Sequence, residues 1–374
     1  MPTPRAFCFL IPGDWSTSTG GFGYDRRLAQ ALAAAGWAID VRQLDAAWPA
    51  PDAAALARTR AVVADIADGS TVVADGLAFG VLDEVVAAHA ERLHWVALVH
   101  HPLHLETGLA AALHQRLLKS ESRALSFARR VVVTSQRTAQ DVAAMGVPAA
   151  RIHVVEPGTD AWPQGPAGLA APAPESAPCA ALVGTPARTG GPVRLLCVAT
   201  VTPRKGHAHL LQALAGLQRL PGSSWELHCV GSLSRDPATV IRVQAMAREP
   251  ALAGCVFWHG EVDAAALQAH YAAADLLVLA SLHEGYGMVV AEALAAGLPV
   301  LASDAGALAQ TLPAQAGSRV SPGDVPALQA ALQRLINEPA LREQLAAGAR
   351  EAGRRLPDWP TQAGRFAAVL DAMP

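Results

Sequence analysis

Glu284 and Glu292 stand with seven residues between them in the segment Ser281-Leu-His-Glu-Gly-Tyr-Gly-Met-Val-Val-Ala-Glu292. An apolar run at 276–280 precedes this segment and a helical pattern over 288–296 closes it. Gly285 and Gly287 let the backbone turn sharply and come close to a ligand. The start of the helix then offers unpaired N–H groups and a positive dipole end to an anion such as a phosphate. Two carboxylates beside such a site suit the hydroxyls of a sugar or a ribose better than the phosphate itself. The blander reading of Glu284 is a capping glutamate, since acidic residues favour helix starts.

Three other segments carry groups of interest. Arg204, Lys205 and Gly206 close the run Val198-Ala-Thr-Val-Thr-Pro-Arg-Lys-Gly206, between another apolar stretch and another helix. A guanidinium and an ammonium there could meet a diphosphate. Lysine plus arginine total 29, and the lysines are Lys119 and Lys205, so the chain uses arginine almost throughout. A lysine at a strand end is therefore informative, although a solvated loop lysine is the commoner case. Gly20 and Gly21 follow the first apolar run and precede a helix, a weaker signal of the same type. His100 and His101 follow the apolar run 95–99, with His104 nearby. A zinc reading of these histidines lacks a matching ligand pattern, and a structural histidine is the plain alternative for each.

These segments need elements to hold them, and the sequence supplies an alternation of strands and helices. Apolar runs at 6–11, 38–44, 71–74, 95–99, 131–134 and 152–155 read as buried strands. Helical patterns lie between several of them, at 23–35, 82–93, 109–127 and 138–145, and Gly36 is placed to end the first. Residues 163–192 are rich in Pro, Ala and Gly without apolar periodicity and read as a linker. The alternation then resumes, with strands at 193–198, 225–230, 256–258, 276–280 and 300–302 and helices at 207–217, 238–248, 264–272 and 288–296. This pattern predicts an α/β protein of two Rossmann-like domains with parallel, doubly wound sheets and a ligand cleft between them. The expected boundaries are 1–162, the linker 163–192, a second domain 193–355, and a C-terminal segment 356–374.

Composition limits the alternatives. The chain has 374 residues, 52% of them hydrophobic and 16% charged. No run reaches the roughly 18 apolar residues that would span a bilayer, and the apolar content is too high for a disordered chain. A net charge of −3 argues against a nucleic-acid partner. Five cysteines without a C-x-x-C pair read as reduced thiols, which points to the cytoplasm. The N-terminal apolar run is too short for a secretory signal. Residues 113–130 mix Arg116, Lys119, Arg123, Arg129 and Arg130 with leucines and alanines. Such a stretch is either a surface helix with a solvated charged face or a peripheral contact with the inner face of a membrane.

In order along the chain, Gly20-Gly21, residues 154–160, Lys205-Gly206, residues 275–281 and the Glu-x7-Glu segment resemble the family 4 retaining glycosyltransferases of the GT-B fold. The resemblance runs from the first strand to the last helix, apart from the linker. It implies a nucleoside-diphosphate sugar as donor, bound mainly by the second domain. Glu284 would hold sugar hydroxyls, with Gly285, Tyr286, Gly287 and Met288 near the sugar and phosphate. Glu292 would hold the ribose. Lys205 would neutralise the leaving diphosphate, helped by Arg204. His100, favoured over His101 by the strand register, would lie against the reacting sugar. Gly20 and Gly21 would border the acceptor, whether a saccharide, a lipid-linked or a small molecule, together with loops 14–22 and 101–107 and Trp162. The resemblance implies no metal and no cofactor. The segment 356–374 would cross back to the first domain as a helix. One departure is that the family's usual Gly-Arg after the first strand of the second domain reads Ala199-Thr200 here. That departure keeps a non-catalytic sugar-nucleotide-binding or regulatory protein as the alternative. A nicotinamide-dependent oxidoreductase is weak, because the first loop has no compact G-x-G-x-x-G.

Overall fold

The computed structural model describes residues 5–17, 19–160, 162, 191–218 and 224–373. The chain forms two compact units: residues 1–158, 284–286 and 357–374 make one, and residues 159–283 and 287–356 make the other. The linker read at 163–192 lies outside the described residues, except its last two positions.

The first unit runs β1 (Ala6–Pro12), α1 (Gly20–Ala34), β2 (Ala38–Leu44), α2 (Ala53–Ala64), β3 (Thr71–Asp75), α3 (Gly76–Phe79), α4 (Asp83–Ala88), β4 (His94–Val99), α5 (Ala111–Ser126), β5 (Arg130–Val133), α6 (Gln136–Ala144) and β6 (Ile152–Val154). The second runs β7 (Val193–Val198), α7 (His207–Ala215), β8 (Trp225–Val230), α8 (Pro237–Ala247), β9 (Val256–Gly260), α9 (Ala264–Ala273), β10 (Leu276–Leu279), α10 (Met288–Ala295), β11 (Val300–Ser303), α11 (Leu308–Thr311), β12 (Gly317–Val320), α12 (Val325–Asn337) and α13 (Pro339–Gly353). The last helix, α14 (Trp359–Asp371), belongs to the first unit.

Each unit holds one parallel sheet of six strands, ordered β2-β1-β3-β4-β5-β6 and β12-β11-β10-β7-β8-β9. Central strands are apolar on both faces because helices cover both. Val96, Ala97 and Leu98 of β4 and the whole of β10 are buried. In each sheet the chain winds outward one way, returns to the middle, and winds the other way. The reversal falls between β1 and β3 in the first unit and between β7 and β10 in the second. In open α/β sheets, ligands bind beyond the carboxyl ends of strands at this reversal.

Local sequence explains where helices begin and end. Thr19 caps α1, its hydroxyl accepting from the Phe22 amide at 3.3 Å. Gly36, at φ +89°, follows the end of α1 as the sequence predicts. Asp52, Asp236, Asp263, Asp324 and Asp358 cap α2, α8, α9, α12 and α14 with side-chain oxygens. Trp359, Phe366 and Leu370 of α14 are buried, and Phe366 meets Phe7 of β1 at 6.4 Å between ring centres. The helix expected at 82–93 is shorter. Only Asp83–Ala88 is α-helical, and the chain then turns at 89–93 to enter β4.

In α5, Leu117, Ala124 and Leu125 pack inward while Arg116, Lys119 and Arg123 are exposed. Arg123 pairs with Asp83 at 2.8 Å. The apolar side of this basic helix is therefore committed to the core, as in an ordinary surface helix. No helix among the described residues is long and apolar enough to cross a membrane.

Candidate functional site

In the first unit the chemistry gathers at the strand reversal. His100 directly follows β4, and its Nε2 lies 3.0 Å from Asp25 Oδ1 and 3.4 Å from Asp75 Oδ2. Asp25 is on the first turns of α1, and Asp75 ends β3. Both carboxylates are buried, while the His100 side chain keeps 21% of its surface exposed. Asp75 Oδ1 also accepts from the Leu77 amide at 2.6 Å, which fixes the carboxylate against the start of α3. Tyr24 is fully buried, donates to the Val155 carbonyl at 3.0 Å, and presents its ring edge-on to His100.

Burial alone would depress the His100 pKa, but the Asp25 charge and hydrogen bonds with both aspartates outweigh it and raise it. The Asp25 pKa is raised by burial and by Asp75, against the pull of His100. The raised His100 pKa favours the imidazolium form, with Nε2 facing the two carboxylates and Nδ1 on the other side of the ring.

The two glycines of the first loop have different roles. A Cβ on Gly21 would stand 3.3 Å from His100 Cδ2, so glycine leaves this ring its place, whereas a Cβ on Gly20 would meet nothing within 4 Å. His101 does not join the cluster, and its Nε2 faces Glu106 at 3.8 Å. Glu284–Tyr286 count with the first unit, where Thr138 Oγ1 donates to the Gly285 carbonyl at 3.2 Å. A Cβ on Gly285 would stand 2.0 Å from the His100 carbonyl oxygen, which requires glycine there.

In the second unit, β7 and β10 are neighbours, and the segments after them meet. Gly206 adopts φ +69°, and a Cβ there would lie 1.9 Å from the Ala280 carbonyl oxygen. Only glycine allows this approach. The Leu282 amide donates to the Arg204 carbonyl at 2.7 Å, and Arg204 Nη1 donates to the His283 carbonyl at 2.9 Å. Arg204 therefore braces the strand-end loop that leads to Glu284, and Lys205 sits beside it. Gly287, at φ +87°, opens α10, and a Cβ there would strike Leu308 Cδ2 at 2.3 Å. No side chain caps α7 or α10, in contrast to the Asp-capped α8, α9 and α12.

Glu292 lies one turn into α10 and accepts from the Tyr271 hydroxyl at 2.7 Å. Burial raises its pKa, and the Tyr271 bond opposes that rise. Trp162, read from sequence as an acceptor-side residue, packs edge-on against Tyr271 at 5.6 Å, next to Glu292.

Sequence reading missed Asp25, Asp75 and Tyr271. Asp25 is adjacent to the glycine loop, and Asp75 becomes visible once β3 is extended by one residue to its carboxyl end.

Residues 24–162 match the model of Glycosyltransferase Family 4, and residues 186–352 match that of glycosyl transferases group 1. The two models together span most of the chain, and both describe glycosyltransferases. A D-inositol 3-phosphate glycosyltransferase of Xylanimonas cellulosilytica is 32% identical over 256 residues, 67% of this chain and 58% of that longer relative. Among solved structures, sucrose-phosphate synthase from Thermosynechococcus elongatus superposes with a TM-score of 0.76 at 23% identity, covering 98% of both chains. HepE from Anabaena, in complex with UDP and glucose, superposes with a TM-score of 0.73 at 18% identity, covering 99% of this chain and all of that one. At these identities the structural likeness concerns the fold, which is GT-B.

Proposed function

We propose that this chain is a retaining glycosyltransferase that moves a sugar from a nucleoside-diphosphate sugar to an acceptor. The observation that carries the reading is the neighbourhood of β7 and β10. Two uncapped helices, α7 and α10, start beyond adjacent strands at the reversal, with Lys205 at one start and Glu292 inside the other. Helix starts and an ammonium suit a diphosphate. A buried carboxylate held by Tyr271 suits a ribose diol.

In this mechanism the glycosidic bond lengthens and negative charge collects on the leaving diphosphate. Lys205 and the α10 amides lower the barrier by stabilising that charge where it develops. Glu284 holds sugar hydroxyls, and the backbone of Gly285–Met288 lies along the sugar and phosphate. Arg204 keeps this loop in place through the His283 carbonyl. His100, charged and anchored at Nε2, offers Nδ1–H to the reacting sugar. The reading needs no metal and no cofactor, because the cation at the diphosphate is Lys205. The acceptor is placed on the first unit near Gly20–Tyr24.

Nucleotide release from a panel of UDP-, GDP- and ADP-sugars, with and without candidate acceptors, tests the activity. The anomeric coupling of the product by NMR tests retention. Donor binding without release from any of them would favour the non-catalytic alternative, which the Ala199-Thr200 departure keeps open.

A further inference from the structure

Among the described residues β9 is an edge strand of the second unit's sheet, and it carries a histidine cluster that the proposed transfer does not use. His228 of β8, His259 of β9 and His270 of α9 each offer a ring nitrogen, and these atoms all lie within 4.8 Å of one another. Parallel register places Phe257 beside His228, and β-strand alternation puts His259 on the same face two residues on. The His228 and His259 rings stack at 5.3 Å with planes 11° apart, and His228 Nδ1 faces His259 Nε2 at 3.0 Å. The His270 ring centre is 4.4 Å from that of His259.

Two imidazole nitrogens facing each other at this distance either share one proton or share a cation. Tetrahedral zinc with bonds of about 2.0–2.1 Å holds its ligand nitrogens at about 3.3 Å. One pair is already near that separation, and side-chain rotation of His270 would bring in the third. The other ring nitrogen of His228, Nε2, lies 3.5 Å from Glu226 Oε2. A carboxylate behind a ligating histidine orients the ring and raises its basicity. Arg194 opposes a cation here, but its Nε lies 3.7 Å from the same Glu226 carboxylate, which offsets its charge. Burial and the Arg194 charge both depress the pKa of each of the three histidines. His259 is exposed, so an ion can enter and a fourth position is open to water.

We propose that His228, His259 and His270 form a three-histidine zinc site at the edge of the second unit, with Glu226 orienting His228. Bound zinc would tie α9 to β8 and β9.

Zinc chloride titrated calorimetrically into the untagged full chain tests this, with cobalt substitution read by visible absorption and melting followed with and without zinc. The expected result is one zinc per chain, a tetrahedral cobalt spectrum and a rise in melting temperature. His259→Ala and His270→Ala should each abolish all three. Glu226→Gln should weaken zinc by about 10–100-fold. Because His259 is exposed, its alanine variant should melt like the parent without zinc, which separates lost ligation from lost folding. His100→Ala should leave zinc binding intact and so excludes the Asp25–Asp75–His100 cluster as the source. The proposal is overturned if the parent binds no stoichiometric zinc, which leaves the histidines as a hydrogen-bonded stack. It is equally overturned if the His259 and His270 variants bind as the parent does.

Discussion

Tyr271→Phe removes a single oxygen and isolates one element of the proposed donor site. The Tyr271 hydroxyl donates to Glu292 Oε2 at 2.7 Å and lies 3.3 Å from the Val289 carbonyl. A hydrogen bond to a charged group contributes about 1.5–3 kcal/mol, and one pH unit corresponds to about 1.4 kcal/mol. Glu292 should therefore titrate about 1–2 units higher in the variant. Its pKa is already raised by burial, with the Tyr271 bond as the opposing influence. A nucleoside diphosphate whose ribose is held by the ionised carboxylate binds above the Glu292 pKa and is lost as pH falls through it. The acid limb of binding should thus move up by the same 1–2 units. Stability moves the other way. A carboxylate with a raised folded pKa contributes fully below its unfolded value, and that contribution is lost as pH rises through the folded value. Tyr271→Phe should therefore cost more stability at neutral than at acid pH. Calorimetric titration of UDP and GDP across the pH range, for parent and variant, measures the limb. A limb that does not move, in a variant that melts like the parent in acid, would refute the role of Glu292 as an ionised acceptor.

Three further outcomes follow from the same geometry. Asp25→Asn removes the nearer carboxylate from His100 and should lower its pKa, so that the imidazolium is lost at a lower pH as pH rises; NMR titration of the His100 ring protons reads this directly. Gly206→Ala forces a Cβ to 1.9 Å from the Ala280 carbonyl oxygen at φ +69°. The left-handed conformation alone costs about 1–2 kcal/mol, and the clash adds to it, so melting of the second unit should fall and donor binding should weaken with it. Phe366→Ala empties a fully buried site between α14 and β1; about 3–5 kcal/mol should be lost from the first unit, visible as a lower denaturation midpoint, while nucleotide binding by the second unit persists.

The doubly wound pattern was legible because buried parallel strands are continuous apolar runs, as at Cys8–Ile11 and Leu276–Leu279. The Lys205-Gly206 and Glu284–Glu292 segments were legible because a strand end followed by glycine and a helix is a local signal. The partners of His100 were not. Asp25 lies 75 residues before it and reaches it only through the pairing of strands, which a local pattern does not encode. The helix α2 carries only Ala55, Thr59 and Val63 as its buried stripe, too small and mixed to read as amphipathic. Leu82–Leu93 looked like one helix because its apolar spacing continues past Ala88, while the structure uses Leu93 to lead into β4. Arg204 shows the limit for site residues. Its sequence position suits a phosphate ligand, but its guanidinium also spends a donor on the His283 carbonyl, a contact between loops that only the fold reveals.

The proposed reaction is sugar transfer from a donor held at the β7–β10 reversal. Its most direct test is acceptor-dependent nucleotide release by the purified chain, compared with Lys205→Ala and Glu284→Ala variants whose circular dichroism and melting match the parent. Turnover is expected in the parent and its loss in both variants. Full turnover in both variants, or none in the parent with any donor of the panel, would contradict it.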